Sequence, residues 1–167
     1  MLDACPAPLG GICFRTLLIL RSPISYLFPN PETNSILILM NEGICYWIEL
    51  SDYDLETAKV MLESSRYLYV GFMCHQAIEK IFKALYLKQT GKNPPHTHNL
   101  SYLAKKAGII DAFSESQADC LDILEPLNIE ARYPSQKERL FKSLNHDRCC
   151  EILNNTMELQ AWAKTKL

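Results

Sequence analysis

The stretch from Tyr67 to Leu100 limits what this chain can fold into more than any other. Val70, Met73, Cys74, Ala77, Ile78, Ile81, Ala84 and Leu85 recur at helical spacing, giving an apolar stripe wide enough to be buried. His75, Gln76, Glu79, Lys80 and Lys83 are interleaved with that stripe, hemmed in by Phe72, Phe82 and Tyr86. A helix so apolar must face a core, yet polar side chains are expensive to bury without partners. The helix should stop at Gly91, a left-handed C-terminal cap, before Lys92-Asn93-Pro94-Pro95, and a new one should start at Asn99. The conflict between burial and polarity marks this helix as the place to look for function.

The chain around it reads as helix. A first helix is predicted from about Cys45 to Ser64, with Trp47, Ile48, Leu55, Ala58, Met61 and Leu62 on one face. The second covers about Tyr69 to Gln89. A short third helix, about Leu100 to Ala107, has Asn99 as N-cap and Gly108 at its end. The fourth opens at the capping box Ser114-Glu115-Ser116-Gln117 and runs to about Glu130, kinked or broken by Pro126. Arg132-Tyr133-Pro134-Ser135 reads as a turn or extended segment. The last helix covers about Asn145 to Lys164, with Ile152, Leu153, Thr156, Leu159 and Ala163 inward. Strand period appears only at Ser35 to Leu39. Short links between helices favour antiparallel neighbours, so the expected fold is all-α, an up-and-down bundle of four to five helices.

A length of 167 residues suits one domain with a sizeable core. Net charge is −2, with no basic excess to advertise general nucleic-acid affinity. Seven cysteines, without a C-x-x-C pair or a secretory signal, fit reduced thiols in a cytoplasmic protein and act mainly as small apolar side chains. Residues 1–39 differ from the rest, with five prolines, Gly10-Gly11 and few charges. Arg15, Arg21 and Pro23 interrupt the apolar run from Cys13 to Phe28, so no membrane span is expected. These residues are expected to be a poorly ordered extension, absent from the mature protein if translation begins at Met40, and 40–167 to be the working domain.

Four groups of residues carry chemistry. His75, Glu79 and Lys83 stack imidazole, carboxylate and ammonium along one helix face, flanked by Gln76 and Lys80. The ladder can present cations to a phosphate, or it can be an internal ion-pair network tying helices together. His96-Thr97-His98 offers two imidazoles, too few for a metal site, so no metal is expected and His98 reads as a hydrogen-bonding tie at a helix start. Arg132-Tyr133-Pro134 places a guanidinium beside a phenol in a stiff turn. That pair can clamp a phosphate and stack on a base, or serve as an ordinary ion pair and core plug. Arg139 and His146, with six residues between, match in type a metal-independent ribonuclease pair, the imidazole moving the 2′-hydroxyl proton and the guanidinium meeting phosphate charge. Such a spacing also arises by chance. The chain lacks a P-loop, a G-x-G-x-x-G, a G-x-S-x-G and paired metal-binding carboxylates, so no cofactor is expected and it does not read as a self-sufficient nucleotidyltransferase.

Taken in order, Trp47, Asp54-Leu55, Arg66-Tyr67, His75-Gln76-Ala77-Ile78-Glu79-Lys80, Lys83-Ala84-Leu85, Thr97-His98-Asn99-Leu100 and Ala131-Arg132-Tyr133-Pro134 resemble the HEPN domain family over most of 40–167. The resemblance implies a bundle of about four or five helices that pairs as a homodimer or with a partner. It implies, for small stand-alone members, a neighbouring minimal nucleotidyltransferase in a toxin–antitoxin-like pair, and binding of a nucleotide or RNA. On that reading His75, Glu79, Lys80, Lys83, His98, Arg132 and Tyr133 line the nucleotide site. Many members are ribonucleases with an Arg-x(4–6)-His motif. Here Arg132 is followed by Tyr-Pro-Ser-Gln-Lys-Glu-Arg without a histidine in reach, and only Arg139 and His146 fit, beyond the Arg-Tyr-Pro block. That departure favours an accessory protein over a nuclease, with a purely structural dimerisation module as a further alternative.

Overall fold

The computed structural model describes residues 31–130 and 144–167, and every regular element among them is helical. α1 is Pro31–Glu63, α2 Tyr67–Thr90, α3 Leu100–Lys106, α4 Glu115–Leu124, α5 Leu127–Glu130 and α6 His146–Lys164, with one turn of 3-10 helix at Ile110–Ala112. The all-α bundle is therefore as expected. α1 starts well before Cys45, and Ser35 to Leu39 lies within it rather than in a strand. Proline at the first helical position gives up no intrahelical donor and is preset for helical φ. No strand exists among the described residues to pair with a five-residue extended run.

The helix ends follow local chemistry. Gly91 at φ 66° closes α2, its N–H donating to the Leu87 carbonyl. Asn99 caps α3 by accepting from the Tyr102 N–H. Ser114 and Gln117 form the reciprocal capping box of α4, and Asn145 caps α6 by accepting from Arg148 N–H. Pro126 separates α4 from α5, as its missing donor requires.

α2 is the central element. α1 returns antiparallel to it: Gly43 approaches Leu87 near one end, and Ser51 Oγ donates to the Ala77 carbonyl at 2.7 Å farther along. Leu127 of α5 meets Gly71 early in α2, while Phe113, just before α4, stacks on Phe82 late in it. α4 and α5 together thus run down where α2 runs up. α6 runs alongside α2 in the same direction, from the Cys149 contact with the Tyr67 carbonyl to the Lys88 ammonium on the carbonyls of Lys166 and Leu167. The up-and-down order is complete. Val70, Cys74, Ala77, Ile78, Ile81, Phe82 and Ala84 of α2 are fully buried against Ala58, Leu100, Leu103, Leu124, Leu159 and Ala163. The predicted inward residues of α6 are all buried as well.

Candidate functional site

The stripe of α2 that faces the core also carries His75, Glu79 and Lys83, and the fold buries all three. Antiparallel α1 lies against one flank of that stripe, and the loop from Gly91 to Asn99 folds back over the other. The loop returns His98 to the carboxylate of Glu79, nineteen positions earlier. Glu79 then acts as a clamp. Its Oε1 accepts from Lys83 Nζ at 2.7 Å and its Oε2 from His98 Nδ1 at 2.8 Å. His75 Nδ1 stands 3.9 Å from the same Oε2, while its Nε2 donates to the His98 carbonyl at 3.0 Å. Side chain and main chain of His98 are thus both tied to α2. That is the role of a tie at a helix start, and it fixes the entry to α3.

Burial on its own would raise the Glu79 carboxyl. The hydrogen bonds and charges of Lys83 and His98 outweigh it, and the group is held below its ordinary value of 4.5. It is a carboxylate at neutral pH. Lys83 Nζ also sits 5.2 Å from the centre of the Trp47 ring, a cation over an aromatic face contributed by α1. Lys80, one position beyond Glu79, turns to α1 instead. It donates to Asp54 Oδ2 at 2.8 Å and to Gln76 Oε1 at 3.3 Å. Exposure divides the cluster: the Glu79 side chain is 2% exposed and that of His98 54%. The side of the cluster that meets solvent therefore presents an imidazole, with two partly buried ammonium groups and an indole behind it.

His75, Glu79, Lys80, Lys83 and His98 are brought together as one network. Arg132, Tyr133 and Arg139 lie outside the described residues. His146 is the first residue of α6 and exposed, with Asp147 Oδ1 3.3 Å from its Nδ1 and the Tyr67 ring edge-on to it. Tyr67 opens α2, about 18 Å along the helix from Glu79 at 1.5 Å per residue, so His146 is not part of the clamp. Among the described residues no group of three His, Cys, Asp or Glu is placed to hold a metal ion. No helix among them is long and apolar enough to cross a membrane.

Two members of the network have partners that the sequence pattern does not assign: Asp54, which neutralises Lys80, and Trp47, which lies under Lys83. Both sit on the side of α1 that meets α2, and their charge and ring are the available signal. A second polar tie has no signature in the spacing at all. Gln160 of α6 donates to Ser51 Oγ at 2.8 Å and to Asp52 Oδ1 at 3.0 Å, and Lys164 joins the same carboxylate.

Comparison with known proteins gives two findings. A family model described as HEPN domain matches residues 44–166. Among solved structures, the chain is similar to TT1696 from Thermus thermophilus, with a TM-score of 0.64 at 20% identity over 74% of this chain and 98% of that one. The second finding speaks for the fold alone. No curated protein matches.

Proposed function

This chain belongs to the HEPN domain family, and from that premise we propose that it is the accessory partner of a minimal nucleotidyltransferase in a toxin–antitoxin-like pair. Residues 40–167 hold its working domain, with the turns of α1 before Met40 continuing the same helix, and that domain pairs with itself or with the enzyme and binds the phosphate of a nucleotide or RNA. The observation that carries the reading is the Glu79 clamp. One carboxylate holds Lys83 and His98 side by side, with Trp47 beneath the ammonium and Lys80 one position away. Cations fixed beside an aromatic face suit a phosphate with an attached base. His75 and Glu79 are buried and act by positioning. His98, Lys83 and Lys80 are the groups that touch ligand, and Arg132 and Tyr133 are assigned to the same task from the family resemblance.

The test is thermal unfolding of the full chain with ATP and, separately, with a short single-stranded RNA. A ligand at 100 times its Kd adds about 2.7 kcal/mol, a rise in Tm of about 5–10 °C for a domain of this size. The rise should vanish in Lys83→Ala while the variant stays helical. No shift with either ligand, together with failure to co-purify a nucleotidyltransferase from the native cell, would leave a purely structural dimerisation module.

A second reading has its own observation. His146 stands exposed at the first turn of a late helix, accessible as an acid or base must be. With Arg139 it would make a metal-independent ribonuclease toxin. That reading predicts RNA cleavage in the presence of a chelator and its loss in His146→Ala.

A further inference from the structure

The outer face of α1 carries a pattern that the core does not use. Leu39, Tyr46, Tyr53 and Val60 recur every seven residues and are 66%, 56%, 68% and 53% exposed. Glu42, Glu49, Glu56 and Glu63 recur three positions after each of them and are all exposed. The spacing 39, 42, 46, 49, 53, 56, 60, 63 is the alternating three-and-four step of a coiled-coil seam, with apolar residues at one seam position and glutamate at the other. It runs about 36 Å along the helix. The inward face of α1 is elsewhere, at Ser51, Leu55 and Ala58. Among the described residues none of the four glutamates makes an ion pair or a side-chain hydrogen bond.

We propose that this face docks a basic amphipathic helix of a different chain, with apolar residues against Leu39, Tyr46, Tyr53 and Val60 and Lys or Arg against the glutamates. The charges decide the occupant. In a parallel pair of two α1 helices, the seam would stack glutamate on glutamate in four successive layers. In an antiparallel pair, each glutamate would be buried against a leucine, tyrosine or valine of the other copy, with no cation to meet it. Both arrangements bury carboxylates without partners. A foreign helix with cations at the facing position satisfies every one. Lys59 alone adds a positive charge at the edge of the seam. The inference is independent of the nucleotide reading, because α1 presents this face away from α2.

The experiment uses the full chain and two synthetic four-heptad peptides, alike except that the seam position facing the glutamates is lysine in one and glutamate in the other. Binding is followed by tyrosine fluorescence and calorimetry, with light scattering of the chain alone. The lysine peptide should bind at least about tenfold more tightly than the glutamate peptide, from four exposed pairs of modest strength each, and should weaken as salt rises. The variant with all four seam glutamates reversed, Glu42→Lys/Glu49→Lys/Glu56→Lys/Glu63→Lys, should reverse the preference, and Tyr46→Ala/Tyr53→Ala should remove binding of both. These residues are exposed, so all variants should keep the wild-type Tm. Equal binding of the two peptides, or binding of neither, overturns the proposal. So does a self-dimer of the chain that Tyr53→Glu dissolves, which would make a second copy the occupant.

Discussion

Replacing Glu79 by glutamine tests whether one carboxylate organises the cluster. The amide keeps the shape but offers a single acceptor where the carboxylate offers two. One of its ends must then present N–H₂ either to the Lys83 ammonium, now 2.7 Å from Oε1, or to the His98 imidazole, now 2.8 Å from Oε2. One charge-assisted hydrogen bond is lost, and Lys83, 11% exposed at its side chain, keeps a charge with no counter-ion beside it. A bond to a charged group contributes about 1.5–3 kcal/mol. With partial relaxation of Lys83 toward solvent, the expected loss is about 2–3 kcal/mol, or about 5–10 °C in Tm for a chain of this size. The pH dependence gives a sharper check. The folded carboxyl is held below 4.5, so its contribution is present above the unfolded value and fades as pH falls through the folded one. Urea unfolding at a series of pH values should show the gap between wild type and Glu79→Gln at full width near pH 7 and closing below about pH 4.5. A gap under about 0.5 kcal/mol at pH 7, or one of constant width down to pH 3, would refute the clamp.

Three further outcomes follow from the packing. Alkylation mapped by mass spectrometry should mark Cys45 and Cys150 quickly and Cys74, Cys120 and Cys149 slowly, because burial pushes those thiols up to about 12, 11 and 11. Equal labelling of all five in the native state would contradict the burial. Ser51→Ala should cost about 1–2 kcal/mol, since it leaves the Ala77 carbonyl without its side-chain donor and Gln160 without its acceptor on Ser51. A neutral result in denaturant unfolding would mean that this tie between α1 and α6 is not formed. Asn99→Ala should cost about 1 kcal/mol through loss of the α3 cap, with Asn99→Asp near wild type.

What can be read from the sequence is what is settled locally. The α2 stripe repeats at 3.6 residues, so its buried face follows directly. Gly91, Asn99 and the Ser114–Gln117 box act within one turn of themselves, and Pro126 breaks a helix wherever it stands in one. The start of α1 is hidden because Ser35-Ile36-Leu37-Ile38-Leu39 has the composition of a strand, and no local signal says that a strand would find no partner. The polar cluster is visible as a cluster, but the partners are not. Glu79 reaches His98 across a two-proline loop, and Lys80 pairs with Asp54 on another helix. Both depend on how elements dock. The glutamate and tyrosine heptads of α1 are present in the sequence too, but a repeat becomes a surface only once the opposite face is known to be the inward one.

The clamp leaves a sharp question about ligand binding, because Glu79 already occupies both donors that a phosphate would want. An anion arriving at Lys83 and His98 meets an ammonium and an imidazole together with a carboxylate 2.7–2.8 Å from both. Unit charges about 6 Å apart repel by about 1–3 kcal/mol at the effective dielectric of a partly buried site. Removing the Glu79 charge should therefore tighten phosphate binding about tenfold even as it destabilises the fold. The two effects have opposite signs in one variant. Titration of ATP into Glu79→Gln below its melting temperature, with Lys83→Ala as reference, separates them. Tighter binding with lower Tm means that the carboxylate holds the cations in place at the expense of affinity, as a positioning group does. Lower Tm with binding unchanged both here and in Lys83→Ala means that the ligand touches neither Lys83 nor His98, and the cluster is a structural tie alone. A protein that binds through these residues also loses ATP binding in Lys83→Ala, whereas a core network leaves it unchanged, so the two variants together decide between a ligand site and a core network.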